Sequence, residues 1–137
     1  MDFKQKLKVL LIEDEEAAAL IAQSMLVAAQ CEVQLVKNGR EATDELTQRK
    51  YDLVIMDWDM PVRNGQEVMK MSDLLLSHDN ESERVPLVLY TGIEASKIDV
   101  PHSSTFQLMD YWYKQESLSH LHKRAQNLLY RLQRKAA

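Results

Sequence analysis

Short apolar runs that each stop on a charged or hydroxyl-bearing residue limit this fold more than any other feature. Lys8-Val9-Leu10-Leu11-Ile12 runs into Glu13-Asp14-Glu15-Glu16, and Leu53-Val54-Ile55-Met56 stops at Asp57. Leu87-Val88-Leu89-Tyr90 stops at Thr91-Gly92, and Tyr111-Trp112-Tyr113 stops at Lys114. Runs this short and apolar on both faces read as parallel strands buried on both sides. Glu32-Val33-Gln34-Leu35-Val36 alternates instead, as a strand near a sheet edge does.

Helical patterns fill the gaps. From Glu15 to Gln30, Leu20, Ile21, Met25 and Ala28 recur at helical spacing behind leading acids. Arg40 to Gln48 carries Ala42 and Leu46, and Gln66 to Ser77 carries Val68, Met69, Met71, Leu74 and Leu75. Ser117 is placed to cap a last helix whose stripe is Leu118, Leu121, Ala125, Leu128, Leu129 and Leu132. Asn38-Gly39 predicts a turn, Pro61 and Asn64-Gly65 a loop, and His78 to Arg84 a polar loop. Residues 93–109 should hold a fourth helix, but Asp99-Val100-Pro101 interrupts it and Ser103-Ser104-Thr105 favours turns. Strands alternating with helices predict an α/β fold, a doubly wound five-stranded parallel sheet with helices on both faces and the fourth helix irregular. At 137 residues the chain fits one domain, 1–137, with its core over 7–132.

In such a sheet the binding crevice lies outside the carboxyl ends of the strands. Glu13, Asp14, Asp57, Thr91 and Lys114 all fall there. Three carboxylates against one ammonium leave an excess negative charge that is unfavourable when partly desolvated, unless protons or a cation compensate. An all-oxygen donor set suits Mg²⁺ or Mn²⁺. A cation there would also assist phosphoryl transfer, which needs mostly positioning and charge neutralisation. Asp57 is a candidate carboxylate nucleophile. Thr91 and Lys114 could bind the new phosphate oxygens.

Charge and composition exclude other classes. Residues 1–116 carry 12 basic and 21 acidic groups, while residues 117–137 carry five basic groups and no acid. An acidic body argues against nucleic acid as the main ligand. The basic end suits the negative pole of a helix dipole, or else forms a contact surface for an acidic partner. Cys31 is the one cysteine, so no internal disulfide forms, which points to a reducing, cytoplasmic setting. No apolar run approaches the roughly eighteen residues needed to span a bilayer. Met56, Met69 and Met71 read as core, Cys31 as a small buried hydrophobe, and Trp58 and Trp112 as packing or interface residues. His120 and His122 are two apart on a helix and face different ways, so they do not form a zinc pair; His78 and His102 read as solvated loop residues.

Taken in order, Val9 to Glu15, Leu53 to Pro61 with Gly65, Leu87 to Gly92, and Asp110 to Lys114 resemble the motifs of response-regulator receiver domains, across residues 7–132. The resemblance implies a flavodoxin-like strand order, 2-1-3-4-5. It implies Asp57 as phosphoacceptor, with Glu13, Asp14, Asp57 and the backbone carbonyl of Asp59 as metal ligands. Thr91 and Lys114 would bind the phosphoryl group, and Tyr111 matches an aromatic that reorients on activation. The donor would be a sensor histidine kinase or histidine phosphotransfer protein, the target a downstream effector protein or domain, and the setting neither a nucleic acid nor a membrane. Such a chain assists its own phosphorylation but converts no metabolite. The family has proline, with a cis bond, after this lysine. Here Gln115 follows, and a trans bond is expected because a non-proline cis bond costs roughly 2.5–4 kcal/mol.

Two other functions fit parts of the pattern. A phosphorylation-independent interaction module of the same fold would ordinarily have lost the acceptor, the acidic pair or the lysine, and none is lost. A phosphohydrolase with an aspartyl intermediate would use Asp57 and Asp59 two residues apart, but no substrate-cap insertion is visible. No DNA-binding or catalytic segment follows the last helix, which fits a single-domain regulator or a piece of a longer protein.

Overall fold

The apolar runs form the strands of one parallel sheet in a computed structural model that describes residues 6–76 and 84–136. The strands are β1 Lys8–Ile12, β2 Glu32–Val36, β3 Leu53–Met56, β4 Val85–Thr91 and β5 Phe106–Tyr113. Their order is β2-β1-β3-β4-β5, all parallel, so the alternating strand β2 lies at an edge as its pattern predicts. The helices are α1 Glu16–Ala28, α2 Gly39–Gln48, α3 Gly65–Leu75 and α4 Leu118–Ala136.

Strand alternation divides the core in two. Val9, Leu11, Ile55, Val88, Tyr90 and Trp112 face one way, under α1 and α4. Leu10, Ile12, Val54, Met56, Leu87, Leu89 and Phe106 face the other, under α2 and α3. Cys31, Met56 and Met69 are buried as expected, and Trp112 proves to be a packing residue, fully buried. Burying side chains of this size stabilises by about 1.5–3 kcal/mol each.

Several expectations need correction. Helix α1 buries Ala18, Ala19, Ala22 and Leu26, and leaves Leu20 exposed. It is apolar almost all round, so periodicity could not choose its face; small alanines let it approach the sheet closely. Leu74 is 80% exposed because it lies off the face of α3 that buries Val68, Met69 and Ser72, and Leu75, the last residue of α3, is exposed too. Both Asn-Gly pairs start helices. Asn38 and Asn64 are N-caps that accept hydrogen bonds from the N–H groups of Glu41 and Glu67, the role in which a short polar side chain satisfies an orphan donor. Glu67 returns the bond to the Asn64 N–H at 3.2 Å and completes a capping box. Ser117 caps α4 as expected, accepting from the His120 N–H at 3.3 Å. The segment expected as an irregular fourth helix holds only a 3-10 turn, Ala95–Lys97, and β5 begins earlier than its aromatic run suggested, at Phe106. Asp73 of α3 anchors this segment, accepting from the Ser103 hydroxyl at 2.7 Å and the Thr105 N–H at 3.0 Å. Of the loop expected from His78 to Arg84, all but Arg84 lies outside the described residues.

Gly39 lets the β3–α3 loop pack on the start of α2. A Cβ at Gly39 would lie 2.0 Å from the Arg63 carbonyl oxygen, a backbone atom with no side-chain freedom to yield. Gly39→Ala is expected to destabilise by about 1–3 kcal/mol through overpacking. Urea denaturation checks this, and an unshifted midpoint would show that the loop relaxes freely.

Candidate functional site

The sheet ladder carries past the strand ends and aims the acids. The Glu13 N–H donates to the Val36 carbonyl at 3.0 Å, and the Asp57 N–H donates to the Ile12 carbonyl at 3.1 Å. Glu13 is only 1% exposed, Asp57 is also buried, and Asp14 is open to solvent. One carboxylate oxygen from each of Glu13, Asp14 and Asp57 lies within 4.8 Å of the others.

Lys114 reaches this cluster from the end of β5, where its N–H donates to the Thr91 carbonyl at 2.9 Å. Its Nζ donates to Glu13 Oε1 at 2.8 Å and to Asp57 Oδ2 at 3.0 Å, and lies 3.5 Å from Glu15 Oε2. It also sits 5.5 Å from the centroid of the Tyr90 ring. The bond from Lys114 to Gln115 is trans, as the absence of proline predicts. Burial would lower the Lys114 pKa, but hydrogen bonds to Glu13 and Asp57 outweigh it and raise the value, so the ammonium stays charged.

Glu13 shows the opposite balance. Burial pushes its carboxyl up to about 7 and the Asp57 charge adds to this, while Lys114 and the Glu15 N–H only partly oppose it. Its Oε1 accepts from both Lys114 and the Glu15 N–H, the latter at 3.0 Å. Its Oε2 is buried with no hydrogen-bond partner among the described residues. A buried, orphaned carboxylate oxygen beside two further carboxylates is where a proton or a cation belongs. These hard oxygen donors, with Asp14 open to water, fit Mg²⁺ or Mn²⁺.

The remaining expected residues surround this centre. The Asp59 side chain is exposed, and its N–H donates to Asp57 Oδ1 at 3.3 Å. Thr91 is buried at the end of β4, and its hydroxyl oxygen accepts from the Ile93 N–H at 3.3 Å. Tyr111 is half-buried against the α2/α3 side of the core, and its buried hydroxyl has no partner among the described residues. Glu13, Asp14, Asp57 and Lys114 thus meet at one point, while Thr91 and Tyr111 stand at the adjoining strand ends.

Sequence reasoning passed over two neighbours. Glu15 follows Glu13 by two residues in extended backbone, so period-two alternation alone would have put it on the same side. Gly65 enters the sequence reading as a loop residue and as part of the acceptor motif, with no packing role attached to it. A Cβ there would lie 2.7 Å from the Trp58 ring and 3.3 Å from the Asp57 carbonyl oxygen, so the loop after the acceptor strand closes only over glycine. That loop also holds Val62 at φ 70°, inside a three-residue turn closed by the Arg63 N–H on the Pro61 carbonyl at 2.7 Å. A β-branched residue there is strained, and such strain clusters at functional loops.

A parallel sheet of this order, with an acidic cluster and a lysine at its carboxyl edge, defines a class of phosphoryl-signalling domains. Residues 9–126 match the response regulator receiver domain family, and the chain belongs to it. It is 38% identical over 90 residues to hybrid signal transduction histidine kinase G of Dictyostelium discoideum, covering 64% of this chain and 2% of that protein. It is 33% identical over 93 residues to the phosphate regulon transcriptional regulatory protein PhoB of Rhizobium meliloti, covering 66% of this chain and 39% of that one. The chain therefore spans well under half the length of these relatives. Among solved structures it is similar to the receiver domain of sensor histidine kinase PA1611 from Pseudomonas aeruginosa, with TM-score 0.71, 25% identity and coverage of 94% of this chain and 98% of that one. That structure has a magnesium ion coordinated in its active-site cleft. The chain is thus a receiver domain of the two-component signalling type. Among the described residues, no helix is long and apolar enough to cross a membrane.

Proposed function

We propose that Asp57 accepts a phosphoryl group from a phosphohistidine on a sensor histidine kinase or phosphotransfer protein, within a single receiver domain spanning 1–137. The convergence of Asp57 with Glu13, Asp14 and Lys114 carries this reading. An Asp57 carboxylate oxygen attacks phosphorus, the P–N bond breaks, and the imidazole leaves with the bonding pair. Glu13, Asp14, Asp57 and the Asp59 backbone carbonyl would hold Mg²⁺ or Mn²⁺. When bound, that ion supplies charge neutralisation for the incoming phosphoryl oxygens. Lys114 holds Asp57 at 3.0 Å before transfer and can follow a phosphoryl oxygen after it. Gly65 lets the loop after Asp57 pack closely against Trp58 and the Asp57 backbone. The acceptor, acidic pair and lysine are all retained, which favours a phosphorylated switch over a phosphorylation-independent module. The setting this reading implies is the cytoplasm, and the readout is control of an effector protein or domain. Phosphorylation by acetyl phosphate tests the reading and is taken up in the Discussion.

Metal binding has its own check. Trp58 follows Asp57 directly and is half-buried, so its fluorescence should report a Mg²⁺ titration. Asp14→Asn and Asp57→Asn should each weaken binding; unchanged affinity in both places the metal elsewhere.

The switch would run through Thr91 and Tyr111. Thr91 donates a hydrogen bond to a phosphoryl oxygen, and the space this opens behind β4 admits a shift of Tyr111, whose hydroxyl has no partner among the described residues. Such a shift selects between conformations that already exist. Amide exchange with and without beryllofluoride and Mg²⁺ should show altered protection over residues 91–113. Changes confined to Asp57 and its loop would leave phosphorylation standing and remove this coupling.

A further inference from the structure

Away from the acidic site, a cleft of about 660 Å³ lies between the outer strands and the end of α4. Its lining includes Arg84, Arg131, Arg134 and Lys135 and, among the described residues, no acid. Arg84 precedes β4, whereas Asp57 follows β3 and Thr91 is the last residue of β4, so the cleft sits at the opposite end of the sheet from the acidic cluster. The last turns of α4 return to that end, where Gln133 Nε2 donates to the Ala29 carbonyl at 3.3 Å.

A helix dipole explains Arg134 and Lys135 in the last turn of α4, but not Arg84, which comes from another element. The Arg84 Nε is buried and has no hydrogen-bond partner among the described residues, and its Nη1 makes only a long contact, 3.5 Å, to the Ser103 carbonyl. Among the described residues, none of the four cations is in an ion pair; Arg134 instead lies over the Tyr130 ring at 5.8 Å. Four cations crowded around one concavity repel each other, and an anion between them would relieve that repulsion.

We propose that this cleft binds a compact organic phosphate of nucleotide size. Its volume falls in the range of small-molecule sites, roughly 300–1,000 Å³. Guanidinium forks match phosphate oxygens in pairs. Pro86, Met109 and Leu132 add an apolar part to the lining, suited to the uncharged portion of such a ligand. An extended polyanion or an anionic membrane is disfavoured, because residues 1–116 carry 21 acids against 12 bases and would repel both.

The test titrates ¹⁵N-labelled protein with ATP in EDTA, which keeps divalent ions from the acidic site. Saturable shifts should appear at Gln107, Met109 and Leu132 and be absent at Glu13 and Asp57. Pyrophosphate should bind more weakly and adenosine not at all. Arg131→Gln, at an exposed helix position, should weaken ATP roughly tenfold or more, as expected for a lost charge-assisted bond. Arg84→Lys keeps the charge and loses the fork, and should also weaken binding, with thermal melting confirming that both variants fold. Asp57→Asn should bind ATP as the wild type does. No saturable binding overturns the proposal. So do unchanged affinity in both arginine variants, shifts centred on the acidic site, or retention by phosphatidylserine vesicles without ATP binding.

Discussion

Incubated with acetyl phosphate and Mg²⁺, the wild-type chain is expected to gain about 80 Da, the mass of one phosphoryl group, and Asp57→Asn to gain nothing. The amide keeps the size of the carboxylate, so packing at the end of β3 is preserved. It loses the anionic oxygen that attacks phosphorus and one charge of the metal cluster. Removing one of three crowded carboxylates also relieves repulsion, so the variant should fold at least as stably, and a lost adduct cannot be blamed on unfolding. Asp59→Asn is the control, because its proposed contribution is a backbone carbonyl; it should keep the adduct. Intact mass spectrometry reads all three proteins. An adduct of equal yield on Asp57→Asn would place the acceptor elsewhere. No adduct on the wild type would favour the interaction module, and rapid catalytic release of phosphate would favour a phosphohydrolase.

The second large effect is a pH dependence carried by one buried carboxyl. Glu13 titrates near 4.5 in the unfolded chain and near 7 in the folded one. Between those values the folded state holds the proton more tightly, so ionising Glu13 works against folding. Its contribution is therefore fully present below about pH 4.5 and is lost as the pH rises through about 7. The shift corresponds to about 3 kcal/mol. The quantity to measure is the difference between wild type and Glu13→Gln. In EDTA the wild type should lose that much relative to the variant between pH 4.5 and 7. Saturating Mg²⁺ should remove most of the loss, because it favours the ionised form. Denaturant titrations across the range decide it, and parallel curves for the two proteins would show that Lys114 already compensates Glu13.

Much of this was legible in the chain. The buried runs identified strands β1 and β3 to the residue, and the alternation of Glu32–Val36 marked an edge. The residues that end β1, β3, β4 and β5 are those gathered at the carboxyl edge of the sheet. Errors fell where one sequence signal serves two physical ends. Asn-Gly reads as a turn, yet asparagine also caps helices, and glycine also admits a close backbone neighbour such as Arg63 at Gly39. An almost wholly apolar helix such as α1 has no periodicity to declare its face, so its buried alanines were missed.

The sequence by itself determined the sheet and the kind of chemistry, because strand burial and the polar residue that ends each strand are local properties, fixed by neighbours along the chain. Which carboxylate is buried is not local. Glu13 and Asp14 are adjacent, yet one is buried with an orphaned oxygen and the other is open to water. Lys114 lies about a hundred residues beyond Glu13 in the chain, and its split between Glu13, Asp57 and Glu15 depends on how far β5 extends beside β4. Only tertiary packing sets such distances, and a buried charge is governed by distance and exposure rather than by residue type. The same holds for the arginine cleft. The basic end of α4 was visible in the sequence, but Arg84 joins it only because parallel strands bring the start of β4 to the end of the last helix.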